Sequence, residues 1–106
     1  MVLRVVNAAV PAEKKASYID FVKSTLAPAL RKMPGCHFVY VAECIEGGSP
    51  EEVIYVSGWD SLEAAETMEK GDVYPAAAKH VRNFYTDYYQ NNDVPHLHYK
   101  NFAELN

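Results

Sequence analysis

Residues 36–59 read CHFVYVAECIEGGSPEEVIYVSGW, and the fold turns on how this stretch pairs with itself. Gly47-Gly48-Ser49-Pro50 is a turn signal. The runs on either side, 36–45 and 52–59, are rich in β-branched and aromatic residues, so they read as two strands of a hairpin. Side chains alternate between the two faces of a strand. In the first run Phe38, Tyr40 and Ala42 face one way, and Val39, Val41 and Ile45 the other. In the second, Val53, Tyr55 and Trp59 oppose Ile54 and Val56. A sheet with one wet face should be apolar on one side only. Here both faces are apolar. Helices can cover one, and a second copy of the same sheet is the simplest cover for the other. The expected assembly is a homodimer whose two sheets face each other around an interior.

Outward from the hairpin, residues 2–9 (VLRVVNAA) read as another strand. Pro11 suits the first turn of a helix. Tyr18, Phe21, Val22, Leu26, Ala29, Leu30 and Met33 then recur at three and four residues, an amphipathic helical pattern that Pro34-Gly35 stops. After the hairpin, Asp60 or Ser61 caps a short helix, with Glu63 near its positive end and Gly71 as its break. A second stretch of helix is expected over about residues 72–88, ended by NNDVP, with a last strand over 96–103 (HLHYKNFA). The order is β-α-β-β-α-β. That is an α+β fold of the ferredoxin-like type, with one four-stranded antiparallel sheet and the helices on one face.

At 106 residues the chain forms a single domain, because halves would be too small to bury a core. Fourteen acidic against ten basic side chains give a net charge of −4, and Lys and Arg are scattered. The absence of a basic stripe argues against nucleic acid as a partner. MVLRVVNAAV at the start is too short an apolar run to span a membrane and lacks the marks of a secretory signal. A cytoplasmic protein with no membrane partner is expected. Cys36 and Cys44, both placed on the first hairpin strand, would lie roughly 26 Å apart. That is too far for a disulfide, and the spacing does not suit a zinc pair, so both read as small buried apolar residues.

Few residues stand out as chemical. EGGSPEE (46–52) is a hairpin turn rather than a phosphate loop, and there is no nucleophile elbow and no CxxC. Tyr74, Val81, Phe84, Tyr85, Tyr88 and Tyr89 form an aromatic and apolar seam at helical spacing, which suits a core, a dimer contact or a ligand wall. Arg82 reads as a solvated surface residue or as a partner for an anionic ligand. His96 and His98 share a strand face, two residues apart, but no third metal ligand is in view. His37 reads as an ordinary strand histidine.

MPGC (33–36), SGWDSLEAAE (57–66) and the aromatic-rich last helix resemble the antibiotic biosynthesis monooxygenase (ABM) family. The resemblance runs over nearly the whole chain in the order and spacing of its elements. It implies a dimeric α/β barrel built from ferredoxin-like subunits. For many members it implies an oxygenase that uses neither metal nor flavin and acts on aromatic polyketides or quinols. A second branch binds and degrades haem, and GDVYPAAAKHVRN (71–83) resembles it. That branch's Asn falls on Asn7, its Trp on Met68 and its His on Ala78. His80 sits two residues beyond, about 200° round a helix, so it cannot take over from Ala78 without a shift of register. His80 is therefore read first as a surface or interface residue, with a pocket acid–base role or haem ligation as alternatives. The polyketide-oxidising branch matches at Trp59, but its Asn falls on Tyr55 and its Tyr on Ala65.

Oxygenation without a cofactor needs an electron-rich aromatic substrate, deprotonated in an apolar pocket that excludes water. Asn7, between Val5 and Ala9 on its strand face, is the candidate hydrogen-bond donor to the developing oxyanion. Trp59 is the candidate stacking wall, with its indole N–H as a second donor. These two are the expected catalytic residues. Tyr40, Tyr55, Met68, Tyr74, Ala78, His80 and Val81 are the expected substrate-binding residues, with core packing as the alternative for Tyr40 and Tyr55. The leading expectation is a cofactor-independent monooxygenase acting on a small aromatic or quinol-like molecule in the barrel cavity. Haem binding or degradation, a non-catalytic dimeric binding protein for an apolar ligand, and a solid dimerisation module are the alternatives.

Overall fold

The computed structural model describes residues 1–72, 76, 80, 81, 84 and 98–106, the side chains of residues 98 and 99 excepted. β1 (Val2–Ala9) leads into α1 (Ala12–Phe21), which continues through a π-helical segment (Val22–Leu26) into α2 (Ala27–Arg31). β2 (Cys36–Glu43), β3 (Glu52–Trp59), α3 (Leu62–Lys70) and β4 (His98–Ala103) follow. The four strands make one sheet in the order β2-β3-β1-β4, and every neighbouring pair is antiparallel. This is the expected ferredoxin-like arrangement. Within the expected second helical stretch, the described Ala76, His80 and Val81 are helical. Tyr74, Ala78, Arg82, Tyr85, Tyr88, Tyr89 and His96 lie outside the described residues.

The first helix is not uniform, for a reason present in the sequence. Pro28 has no N–H to give to Ser24, and its ring crowds that carbonyl. The chain widens by one residue per turn just before it, so that the Ala27 N–H bonds to the Val22 carbonyl. All residues at the joins stay in the right-handed helical region, and Tyr18, Val22, Leu26 and Leu30 still point into the core.

The two faces of the sheet differ. Val6 and Ala8 of β1, Val39 of β2, and Val53, Tyr55 and Trp59 of β3 are almost fully buried beneath the helices. Val81 and the α3 residues Ala65 and Met68 close the same cluster. The other face carries Leu3, Val5 and Asn7 beside Ile54, Val56 and Gly58, with Phe38, Tyr40 and Ala42 on one flank and Phe102 on the other. Tyr40 is 65% exposed and Phe102 49%, so this face is apolar and open. The Phe38 and Tyr40 rings stack on it with centroids 5.0 Å apart.

Two departures from the expected strands matter. β2 ends at Glu43 rather than at residue 45. Cys44 still donates its N–H to the Glu52 carbonyl, but the chain then turns into the loop, where Gly47 takes φ +90°. Ile45 is therefore 92% exposed instead of sharing a face with Val39 and Val41. The start of β2 is also irregular: Cys36 pairs with Trp59 and Phe38 with Gly58, so His37 is an extra residue in the ladder. Such a bulge re-aims a side chain and bends the strand. The outer edge of β2 is partly covered, since the Arg31 guanidinium donates to the Val39 carbonyl at 2.8 Å.

Candidate functional site

Pro34-Gly35 ends the first helix and starts β2, while Asp60-Ser61 ends β3 and starts α3. Because β2 and β3 pair from Cys36↔Trp59 onward, these two junctions must lie side by side. The Asp60 N–H donates to the Gly35 carbonyl at 2.8 Å. Gly35 has φ +85°, a conformation that glycine adopts freely and other residues resist. Ser61 caps α3, its hydroxyl accepting the Ala64 N–H at 3.1 Å.

Between these junctions and α3 lies a pocket of about 340 Å³, within the range of small-molecule sites. Met33, Pro34, Ala64 and Met68 give it apolar walls, and Thr67, Gly71 and Gly35 complete them. Asp60, Ser61 and Glu63 supply its polar groups, with no basic side chain among the described lining residues. Asp60 carries a partner from outside the pocket: Nε2 of His37 lies 2.6 Å from its Oδ1. The bulge at the start of β2 is what turns His37 toward Asp60. Both side chains are half exposed or more, so the pair stands at the rim of the pocket rather than in the core.

A second polar cluster is buried under the helices. Arg4, 1% exposed, donates Nε to Oε1 of Glu69 on α3 at 2.7 Å. Ser57 is its cross-strand neighbour, and the Ser57 hydroxyl accepts the Trp59 indole N–H at 2.8 Å. Tyr55 and Tyr18 sit in the same core. Burial raises the Cys36 thiol above its ordinary range, against the opposing pull of a main-chain hydrogen bond at Phe38 and of Arg31.

The expected site residues do not gather in one place. Trp59 is fully buried on the helix side, and its N–H is taken by Ser57, so it is a core residue rather than an open stacking wall. Asn7 lies on the opposite face and pairs across the ladder with Ile54, while Trp59 pairs with Val2. Its amide donates to Oε2 of Glu52 at 2.8 Å. Tyr40 is on the open face and Tyr55 under the helices, so they share no cavity. Met68 does line the pocket, and Val81 packs in the core beside it. His80 is exposed, its ring against Phe21 with centroids 4.3 Å apart. Tyr74 and Ala78 lie outside the described residues. The haem-type set does not converge, because Asn7 and Met68 stand on opposite sides of the sheet. Among the described residues, no three His, Cys, Asp or Glu side chains are placed to hold a metal.

The His37–Asp60 pair and the pocket escaped the sequence reading. A signal existed: a strand that begins after Pro-Gly and pairs with one ending just before a Ser-capped helix forces those two corners together. The bulge that delivers His37 leaves no such mark.

The fold is ferredoxin-like α+β, and comparison with known proteins takes it further. Residues 1–80 match the profile of the antibiotic biosynthesis monooxygenase family, and the chain belongs to that family. No curated protein matches the chain. Among solved structures it is similar to a presumed antibiotic biosynthesis monooxygenase from Deinococcus radiodurans, at 20% identity and TM-score 0.77, covering 100% of this chain and 94% of that one. A presumed member from Bordetella bronchiseptica is similar at 15% identity and TM-score 0.79, covering 98% and 96%. One from Nitrosomonas europaea is similar at 12% and 0.77, covering 100% of both chains. At these identities the likeness is one of fold.

Proposed function

We propose that the protein is a cofactor-independent monooxygenase acting on a small aromatic or quinol-like molecule, and that the substrate sits in the pocket between Pro34-Gly35 and α3. Family membership supports the reaction class. The observation that carries the site is the pocket itself: apolar walls with two methionine side chains, a volume fit for one or two rings, and a carboxylate at its rim. Sulfur–aromatic contacts from Met33 and Met68 favour a flat ring between them. Placing the substrate here moves it from the barrel interior, where Asn7 points, to the helix side of the sheet. A substrate ring against the apolar walls would have its hydroxyl at the open rim. Dioxygen, the second reactant, is activated by the electron-rich ring.

The test is enzyme-dependent dioxygen uptake with 1,4-naphthohydroquinone as probe, corrected for its autoxidation. Thr67 is exposed and lines the pocket, so Thr67→Trp fills the space without disturbing the core. Uptake by the wild type and its loss in Thr67→Trp, at unchanged far-ultraviolet circular dichroism, is the expected result. Equal uptake by both proteins refutes the location. No uptake above autoxidation with naphtho- and benzohydroquinones refutes the activity.

The assembly belongs to the same reading. Two copies pack open face to open face, burying Leu3, Val5, Phe38, Tyr40, Ile54, Val56 and Phe102 in a central barrel. Support comes from the apolar residues that β1, β2 and β3 place on that face, with Phe102 of β4, which a lone subunit would leave in water. Light scattering at micromolar concentration should return twice the chain mass of 11.9 kDa.

A further inference from the structure

We infer that Asp60 is the base that takes the substrate's hydroxyl proton, and that His37 is the positioning residue that holds the Asp60 carboxylate through its Nε2–H. The inference rests on the substrate occupying the pocket proposed above, and it names the proton acceptor that the reading lacked.

Three features converge on it. Asp60 lines the pocket, whereas Glu63, the other lining carboxylate, has no hydrogen-bond partner of this kind among the described contacts. Oδ1 of Asp60 is bonded to Nε2 of His37 at 2.6 Å. Oδ2 lies by Gly35, another lining residue, 3.4 Å from where a Cβ would stand there. The bulge at His37 is the third. Cys36 pairs with Trp59 and Phe38 with Gly58, which leaves His37 as the extra residue of the ladder, and its side chain reaches Asp60. Base, orienting partner and apolar cavity are the parts that general-base catalysis needs.

The step balances simply. The substrate O–H bond breaks, its electron pair stays on oxygen as the aryloxide, and the proton goes to the Asp60 carboxylate, while Nε2–H of His37 keeps its bond to Oδ1. The exposed Asp60 carboxyl then returns the proton to water. The aryloxide then reacts with dioxygen. No basic side chain among the described lining residues competes for the proton or holds a substrate already ionised. The pocket therefore selects a neutral hydroxylic ring over a carboxylate-bearing one.

The test compares wild type, Asp60→Asn, His37→Ala, His37→Gln and Glu66→Gln in dioxygen uptake with 1,4-naphthohydroquinone at pH 7. Asp60→Asn keeps the shape and the main-chain bond to Gly35, and should lose about 100-fold or more in kcat/KM. His37→Ala should lower kcat with little change in KM, and His37→Gln, whose amide keeps an N–H donor for Oδ1, should restore most of it. Glu66→Gln, at an exposed α3 carboxylate outside the pocket lining, should leave the rate within about twofold. A purely structural pair would instead lower thermal stability and leave kcat alone. Wild-type rates in Asp60→Asn, or an unchanged kcat in His37→Ala, overturn the inference while leaving the oxygenase reading intact. A wild type with no uptake removes both.

Discussion

Two glycines separate two costs that usually arrive together. Gly35 has φ +85° and Gly47 φ +90°, so an alanine at either position meets the same left-handed penalty of about 1–2 kcal/mol. Their surroundings differ. A Cβ on Gly47 would meet nothing within 4 Å, whereas one on Gly35 would stand 2.9 Å from the Cβ of Ala64. That contact is backbone-anchored on both sides, so one element must shift, at about 1–3 kcal/mol. Gly47→Ala should therefore cost about 1–2 kcal/mol and Gly35→Ala roughly 2–5 kcal/mol. For a domain of this size each kcal/mol lowers Tm by about 4 °C. Thermal melts followed by circular dichroism should show a drop of about 4–8 °C for Gly47→Ala and about 8–20 °C for Gly35→Ala. Ala64→Gly removes the opposing methyl. Measured in that background, Gly35→Ala should cost no more than Gly47→Ala does, a coupling that a mutant cycle isolates. Because the Gly35 carbonyl holds the Asp60 N–H, the surviving Gly35→Ala protein should also lose dioxygen uptake. Equal Tm losses at the two glycines, or no coupling to Ala64, would refute the close packing of the Pro-Gly corner on α3 from which the site is built.

Other perturbations probe separate parts of the structure. Asn7→Ala breaks the bond to Glu52 on the open face and should leave the rate of dioxygen uptake within about twofold; a large loss would return the chemistry to the barrel interior. Glu69→Ala strips the buried Arg4 of a charged partner and should cost about 2–3 kcal/mol in urea unfolding, less than a wholly buried pair because Glu69 is 20% exposed. Val56→Glu puts a charge in the middle of the open face and should give a monomer by light scattering; an unchanged mass would place the dimer contact elsewhere. Cys36 holds its proton more tightly in the folded chain than in the unfolded one. Its contribution to stability is thus complete below the ordinary thiol range and is lost as pH rises through the raised folded value. Iodoacetamide at pH 8 should alkylate Cys36 more slowly in the folded protein than in urea, and equal rates would show that the thiol is not shielded.

The fold was legible because its signals are local and repeated. Alternation in VLRVVNAA and EVIYVSGW, the spacing from Tyr18 to Met33, and two Gly- or Pro-bearing breaks suffice to order the elements. Apolar residues on both faces of the hairpin strands also announced an open face. The site was less legible, because a site depends on which face a residue occupies and on single-residue irregularities. Asn7 and Trp59 each suit an active site by residue type, yet the register of β1 against β3 puts them on opposite sides of the sheet. Arg4 had a visible signal, since it shares the face of Val2, Val6 and Ala8, where a charge demands a partner such as Glu69. His37 had none, because a bulge is one extra residue that composition does not reveal. Pro28 lay in plain sight, but its effect, a widened turn in a helix that continues, was a matter of local geometry rather than of pattern.

Where the ligand sits can be read from three methionine methyl groups. Met33 and Met68 line the pocket, whereas the sulfur of Met1 lies 2.9 Å from where a Cβ on Gly58 would stand, on the open face. With the methionine methyls labelled with carbon-13, the measurement is a titration with 1,4-naphthoquinone, a flat and unreactive stand-in for the hydroquinone. Saturable shifts of the Met33 and Met68 signals with Met1 unmoved are the expected result. A shift of Met1 alone, with Met33 and Met68 still, would contradict the central claim and place the ligand between the two sheets.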